Sequence, residues 1–264
     1  MADKLAVITG ASTGIGFELA KLAAMDGYDL IVVANEAKIQ EAAEELRSGG
    51  GEVTAVEAEL ATSEGVDALL AAAAGRPIDV LCANAGIGTG GAFLDLEEGN
   101  WRHSIDTNVT YTVYLLQKVL TEMVGRSSGK VLVTGSIAGH IPGSFNAVYN
   151  ATKAFIDNFT DALRDELKDH EGVTLTTLKP GATDTAFFAR ADMLDTDVGQ
   201  DDSKADPAKV AKDGWEAMLK GKGNITSGLM NKLQVAAAGV APASVMAHQH
   251  RKMAEPHSHS NEDS

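Results

Sequence analysis

Tyr149 and Lys153 stand four residues apart, so on a helix they share a face and set a phenol beside an ammonium. Such a pair can move a proton. The positive charge favours phenolate and draws a tyrosine pKa down from about 10 towards the range in which it serves as acid or base. The same spacing recurs at Tyr114 and Lys118, so spacing alone does not select a site. The upstream residues differ. Ser136 precedes Tyr149 by thirteen positions, just after the apolar run 130–133, where a strand end presents a hydroxyl; thirteen before Tyr114 stands Trp101, which has none.

A second stretch with chemical meaning is Gly10-Ala11-Ser12-Thr13-Gly14-Ile15-Gly16, between a β-type run over 5–9 and a helical pattern over 17–25. Glycines permit the tight turn and let the backbone approach a pyrophosphate, while the helix N-terminus offers amide hydrogens to the anion. The spacing Gly-x-x-x-Gly-x-Gly departs from the commoner Gly-x-Gly-x-x-Gly. A plain strand-to-helix turn is the competing reading, and the flanking elements favour phosphate. Asn84-Ala85-Gly86 follows the apolar run 78–82, Asn108 lies within a helical pattern, and Pro180-Gly181 breaks the chain after the run 173–179. On position alone the first of these is equally a plain loop, and Asn108 an exposed helix amide.

These residues need elements to hold them. Strands are predicted over 5–9, 30–34, 53–58, 78–82, 130–134, 173–179 and 224–227. Helices are predicted over 17–25, 37–46, 63–74, 100–124, 149–170, 207–220 and 229–253, the last interrupted by Pro242. Alternation at these lengths implies an α/β fold, a Rossmann-type doubly wound parallel sheet of about seven strands between two helical layers. Residues 1–254 then form a single domain. Its aspartate-rich segment over 185–206 lacks periodicity and is expected to be a mobile lid, with Phe187, Phe188, Met193 and Leu194 closing over an apolar ligand. The polar tail 255–264 is expected to be solvated, and the intervals of His248, His250, His257 and His259 match no closed metal site.

The formal charge of -15 over 264 residues argues against a nucleic-acid partner and against docking on an acidic membrane or carrier. One cysteine, Cys82, leaves no intrachain disulfide. No stretch reads as a signal peptide or as the roughly 18 apolar residues of a membrane span. A soluble cytoplasmic protein is expected.

With Thr9 to Gly16, Asn84 to Gly86, Asn108, Ser136, Tyr149, Lys153 and Pro180-Gly181 in this order, the chain resembles the short-chain dehydrogenase/reductase family over about 5–185. The resemblance implies that Tyr149 exchanges a proton with the reacting oxygen, that Ser136 hydrogen-bonds it, and that Lys153 lowers the tyrosine pKa and bonds the nicotinamide ribose. Asn108 would fix a water linking Lys153 to solvent, and Tyr114 would be surface. The implied cofactor is NAD(P)(H), with the turn Gly10, Ser12, Thr13, Gly14, Ile15 and Gly16 at the pyrophosphate. Asn84, Ala85 and Gly86 would lie on the adenosine side, Glu59 and Leu60 near the adenine, and Pro180, Gly181, Thr183 and Thr185 at the carboxamide end.

The family's NAD-selecting acid falls at Ala34, and its NADP-selecting basic positions fall at Asn35 and Thr13. Without the repelling acid the reading leans to NADP(H), with Lys38 or Ser12 as phosphate partners. The implied activity interconverts a ketone or aldehyde and a secondary alcohol in a homodimer or homotetramer. Three alternatives are a dinucleotide-binding regulator, a carrier-linked 3-oxoacyl reductase, and an epimerase or dehydratase of the related larger family.

Overall fold

The structure is a computed structural model that describes residues 4–239 and 241–257. Seven strands, β1 Leu5–Thr9, β2 Asp29–Ala34, β3 Val53–Glu57, β4 Val80–Ala83, β5 Gly129–Thr134, β6 Val173–Lys179 and β7 Asn224–Thr226, form one sheet in the order β3-β2-β1-β4-β5-β6-β7. Every pairing is parallel. Parallel strands covered on both faces read as continuous apolar runs, and β1 and β2 are buried at every residue. Alternation sends Ala6, Ile8, Leu30 and Val32 into one core layer and Leu5, Val7, Ile31 and Val33 into the other.

The first layer is covered by α1 Gly14–Met25, α2 Lys38–Arg47 and α9 Pro207–Leu219, and the second by α3 Ser63–Ala72, α5 Tyr111–Gly125 and α6 Ala147–Glu166. Gly214 lets α9 lie close on the sheet: a methyl there would come within 2.8 Å of Leu178. Strand order reverses between β1 and β4. At such a switch point the loops leaving adjacent strands part to opposite faces, and a crevice opens at the carboxyl edge.

Three expectations are corrected. The predicted helix over 100–124 is broken into α4 Glu98–Ile105, a π turn Asp106–Thr110 and α5. The wider turn sends Asn108 inward, so that it is buried and not an exposed amide. The acidic segment has structure: α7 Phe187–Arg190 and α8 Asp197–Gln200 are tied down by a bridge from Thr183 to Ala205 and by Gly90 N–H donating to Ala191 O at 2.8 Å. Phe188, Ala191 and Met193 form a small apolar cluster with Ala254, the last residue of α11 Ala243–Ala254. Two of the C-terminal histidines are also engaged. His250 is buried with Nδ1 2.8 Å from Ser144 O, and His257 Nε2 lies 2.8 Å from Asp197 Oδ1. His259 lies outside the described residues. The helix α10 Leu229–Ala238 completes the chain's elements and packs beside the 3-10 turn Ile137–His140.

Candidate active site

The carboxyl ends of β1, β4, β5 and β6 converge, and threonine hydroxyls lash the first three together. Thr9 Oγ1 accepts from the amides of Asn84 and Ala85, each at 2.9 Å, while Asn84 Nδ2 donates to Thr9 O at 3.2 Å. Thr134 Oγ1 donates to Asn84 Oδ1 at 3.0 Å. Asn84 is therefore a brace between three strand ends. Thr134 is not among the expected site residues; its one signal in the sequence is a hydroxyl at the end of the strand that precedes Ser136.

Gly10 and Gly14 take the left-handed backbone at φ 64° and 59°, which costs a glycine nothing. A methyl at Gly16 would overlap the Gly10 carbonyl. Thr13 occupies the N-cap of α1 without a side-chain hydrogen bond to the first turn. The first-turn amides of α1 thus have no capping side chain, as an anion site requires. Thr185 lies opposite: a methyl on Gly14 would come within 2.8 Å of it. Thr183 turns inward and donates to Gly181 O at 2.9 Å.

At the outer end of the crevice, Asn35 donates to Glu59 Oε2 at 3.1 Å, and Leu60 is buried. Ser12 donates to Glu36 Oε1 at 2.5 Å, and the same oxygen receives Arg190 Nη2 at 2.6 Å. Neither Glu36 nor Arg190 is among the expected residues. Glu36 stands twenty residues after Gly16, a spacing that flags it once the glycine turn is taken as a cofactor site. Arg190 reaches across from the lid, which no local pattern reveals.

On the other side of the switch point, Ser136 is the N-cap of the 3-10 turn, accepting from Ala138 N–H at 3.1 Å. Tyr149 lies in the first turn of α6, with the Ser136 hydroxyl acting on its phenol and its ring 5.0 Å from that of Phe187. Lys153 is buried one turn on, donating to Thr134 O at 2.8 Å, its ammonium 5.7 Å from the Tyr149 ring centroid. Asn108 accepts from Ile87 N–H at 2.8 Å and donates to Ile87 O at 2.9 Å and Thr152 Oγ1 at 3.0 Å. The π turn thereby joins the loop after β4 to α6. A methyl on Gly86 would lie 3.3 Å from both Asn108 Oδ1 and Lys153 Nζ, so its bareness leaves room for them.

The pKa values run against the simple expectation. Burial pushes Tyr149 up to about 12, opposed by the Ser136 hydroxyl, and pushes Lys153 down to about 8, opposed by the charge of Asp157. Desolvation outweighs the tyrosine–lysine attraction because both groups lose water while the ammonium is directed at Thr134 O. Tyr114 and Lys118 differ in kind. Tyr114 donates to Asp67 on α3 at 2.9 Å, and Lys118 sits over its ring on the surface.

The family model of short chain dehydrogenases matches residues 4–194. The chain belongs to the short-chain dehydrogenase family. Its relatives include the oxidoreductase UcpA of Salmonella typhimurium, 37% identical over 142 residues, covering 53% of this chain and 54% of that one. Another is the 3-oxoacyl-acyl-carrier-protein reductase FabG of Staphylococcus epidermidis, 32% identical over 141 residues, covering 52% and 58%. The matches span about half the length of these curated relatives. A short-chain dehydrogenase of Sphingobium yanoikuyae, solved with NADPH, superposes with a TM-score of 0.79 at 26% identity, over 90% of this chain and 94% of that chain.

Short-chain dehydrogenases use NAD(P)(H), and the residues here fit that cofactor: a glycine turn that admits no side chain at Gly16, and uncapped amides at the start of α1. Two side chains expected near the phosphates and the ribose are otherwise employed, Ser12 with Glu36 and Asn35 with Glu59.

Proposed function

We propose that this short-chain dehydrogenase interconverts a ketone or aldehyde and a secondary alcohol, with Tyr149 as general acid and base. The observation that carries the reading is the meeting of Tyr149 and Ser136 at the carboxyl end of β5, with Lys153 buried one helical turn behind and donating to Thr134 O at 2.8 Å. The cofactor, held at Gly10, Ser12, Thr13, Gly14, Ile15 and Gly16, at Asn84, Ala85 and Gly86, and at Pro180, Gly181, Thr183 and Thr185, supplies or accepts the hydride when bound. Tyr149 gives its proton to the oxygen as negative charge develops there, and Ser136 donates a second hydrogen bond to the same atom. The Ser136 hydroxyl accepts from Ala138 N–H, and its own proton has only a long contact to Pro180 O at 3.5 Å, from which a reacting oxygen can draw it. Asn108 holds the loop after β4 against α6 and so fixes the floor beside Lys153.

We keep NADP(H) as the preferred form. Arg190 supplies the guanidinium that the sequence position at Asn35 lacks, while Glu36, an acid at the spacing that suits an NAD ribose, opposes this choice and would have to give up Arg190 to a 2′-phosphate. Small carbonyl compounds enter past Phe187, whose ring leans on that of Tyr149. The similarity to FabG favours a second reading, carrier-linked 3-oxoacyl reduction, which the charge of -15 opposes because acidic carriers would be repelled. A panel of ketones, alcohols and a 3-oxoacyl thioester, run with both cofactors, tests both readings through loss of reduced-nicotinamide absorbance. Turnover of the thioester alone would select the second, and no turnover at all would overturn both.

A further inference from the structure

Beneath the tyrosine and lysine lies a group of charges that the proton-transfer reading leaves unused. Residues 149, 153 and 157 stand at successive intervals of four on α6, so Asp157 continues the face that carries Tyr149 and Lys153. Asp157, Lys153 and Lys179 are 5%, 4% and 6% exposed. Two ammonium groups and one carboxylate have therefore been taken out of water within one small region. Burial on this scale is costly unless the charges compensate one another.

Asp157 Oδ2 lies 3.3 Å from Lys179 Nζ at the end of β6 and 3.3 Å from His140 Nε2 in the turn after Ser136. His140 Nε2 is also 3.4 Å from Lys179 Nζ. The other oxygen fills the place of a side chain at Gly135, where a methyl would overlap it. Neither oxygen accepts a well-formed hydrogen bond. A buried carboxylate left in this way is held by charge rather than by directed bonds, and calls for an explanation.

Lys153 supplies one. Its ammonium donates to a neutral carbonyl, Thr134 O, and Asp157 is the carboxylate whose charge acts on it. The groups facing this cluster are Tyr149, Lys153, Asp157 and Asp161 from α6, His140 from the 3-10 turn, and Lys179 from β6. Burial holds His140 below the usual histidine range, so near neutrality it adds no cation. The cluster then balances one carboxylate against two ammonium groups.

We propose that Asp157 is a positioning residue for proton transfer: it provides the counter-charge of the buried Lys153 ammonium and, through His140, Lys179 and Gly135, fixes the strand end that carries Ser136. It touches neither substrate nor cofactor and acts through Lys153. The inference rests on the oxidoreductase reading, which fails separately if Tyr149→Phe retains its activity.

The test reads Lys153 directly. In protein carrying 13Cε-labelled lysine, the Lys153 resonance, assigned by its loss in Lys153→Met, is titrated by NMR in wild type, Asp157→Asn and Asp157→Glu. Asp157→Asn is expected to lower the Lys153 midpoint by about one unit or more, since a neighbouring opposite charge one helical turn away is worth that much. Asp157→Glu should restore most of it, and the fall of reductase activity with rising pH should move with the midpoint. Because Asp157→Asn leaves Lys179 unpaired and can fail to fold, the same substitution is also made in Lys179→Met, and the drop is read against that single variant. A Lys153 midpoint unchanged by Asp157→Asn in either folded background overturns the proposal.

Discussion

A phenol whose pKa stands near 12 and an ammonium near 8 are suited to ketone reduction at neutral pH, because Tyr149 holds the proton it must give. Replacing Tyr149 by Phe keeps the ring contact with Phe187 and removes the proton. Turnover should fall by about 100-fold or more, with cofactor affinity within about twofold, as read by nicotinamide absorbance and fluorescence titration. Lys153 makes a stability prediction with a definite sign. Its folded pKa is lowered from 10.5 to about 8, so between those values the unfolded chain binds more protons and stability rises with pH. Below pH 8 the full penalty of the buried ammonium is present. Lys153→Met should therefore flatten the dependence of stability on pH, with no gain between pH 8 and 10.5, while abolishing turnover. Denaturant unfolding at about pH 7 and about pH 10 checks the flattening.

At the scale of elements, the π turn and the lid decide what the residues can reach. Asn108 satisfies both backbone groups of Ile87 and the hydroxyl of Thr152. Asn108→Ala takes the acceptor from the Ile87 N–H, whereas Ile87 O keeps Ser104 Oγ and Thr152 keeps Tyr149 O, which should cost about 1–3 kcal/mol; it should also lower turnover more than it weakens cofactor binding, as steady-state kinetics and thermal unfolding would show. The lid is fastened at two places along the crevice, by Thr185 against Gly14 and by Arg190 on Glu36. Arg190→Ala should weaken NADPH binding about tenfold, the loss of one charge-assisted pair, and leave NADH within about twofold. Fluorescence titration of both reduced cofactors measures the ratio, and equal losses for the two would remove Arg190 from cofactor selection.

For the whole molecule, the two core layers on either side of the sheet account for the rigidity of the edge on which the site stands. Outside them, Ile105 on α4 and Phe155 on α6 remain 36% and 43% exposed, and Phe155 stacks on Phe159 with ring centroids 5.8 Å apart. An apolar surface on the helices that bear the site suits a second copy of the chain. Light scattering should give a mass of two or four times 27.5 kDa, and Phe155→Asp should shift it towards the monomer; a wild-type monomer would refute the homo-oligomer. Among the described residues no helix is long and apolar enough to cross a membrane.

Much of this is legible in the chain itself. β1 and β6 fall on the predicted residues, because β1 is an apolar run ended by the glycine turn and β6 a β-prone run of valine, leucine and threonine ended by Pro180-Gly181. The order of Ser136, Tyr149 and Lys153 is equally plain, since a strand end and a helical interval of four are local facts. Tertiary structure decided the rest. Asn108 is fixed by a π turn that no period announces, the lid by contacts with residues some sixty positions further on, and Arg190 by a pairing across 154 positions. The direction of the Tyr149 pKa reverses for the same reason. Spacing along the chain sets the distance between a tyrosine and a lysine, but only packing sets how much water each has lost, and here that loss outweighs their attraction.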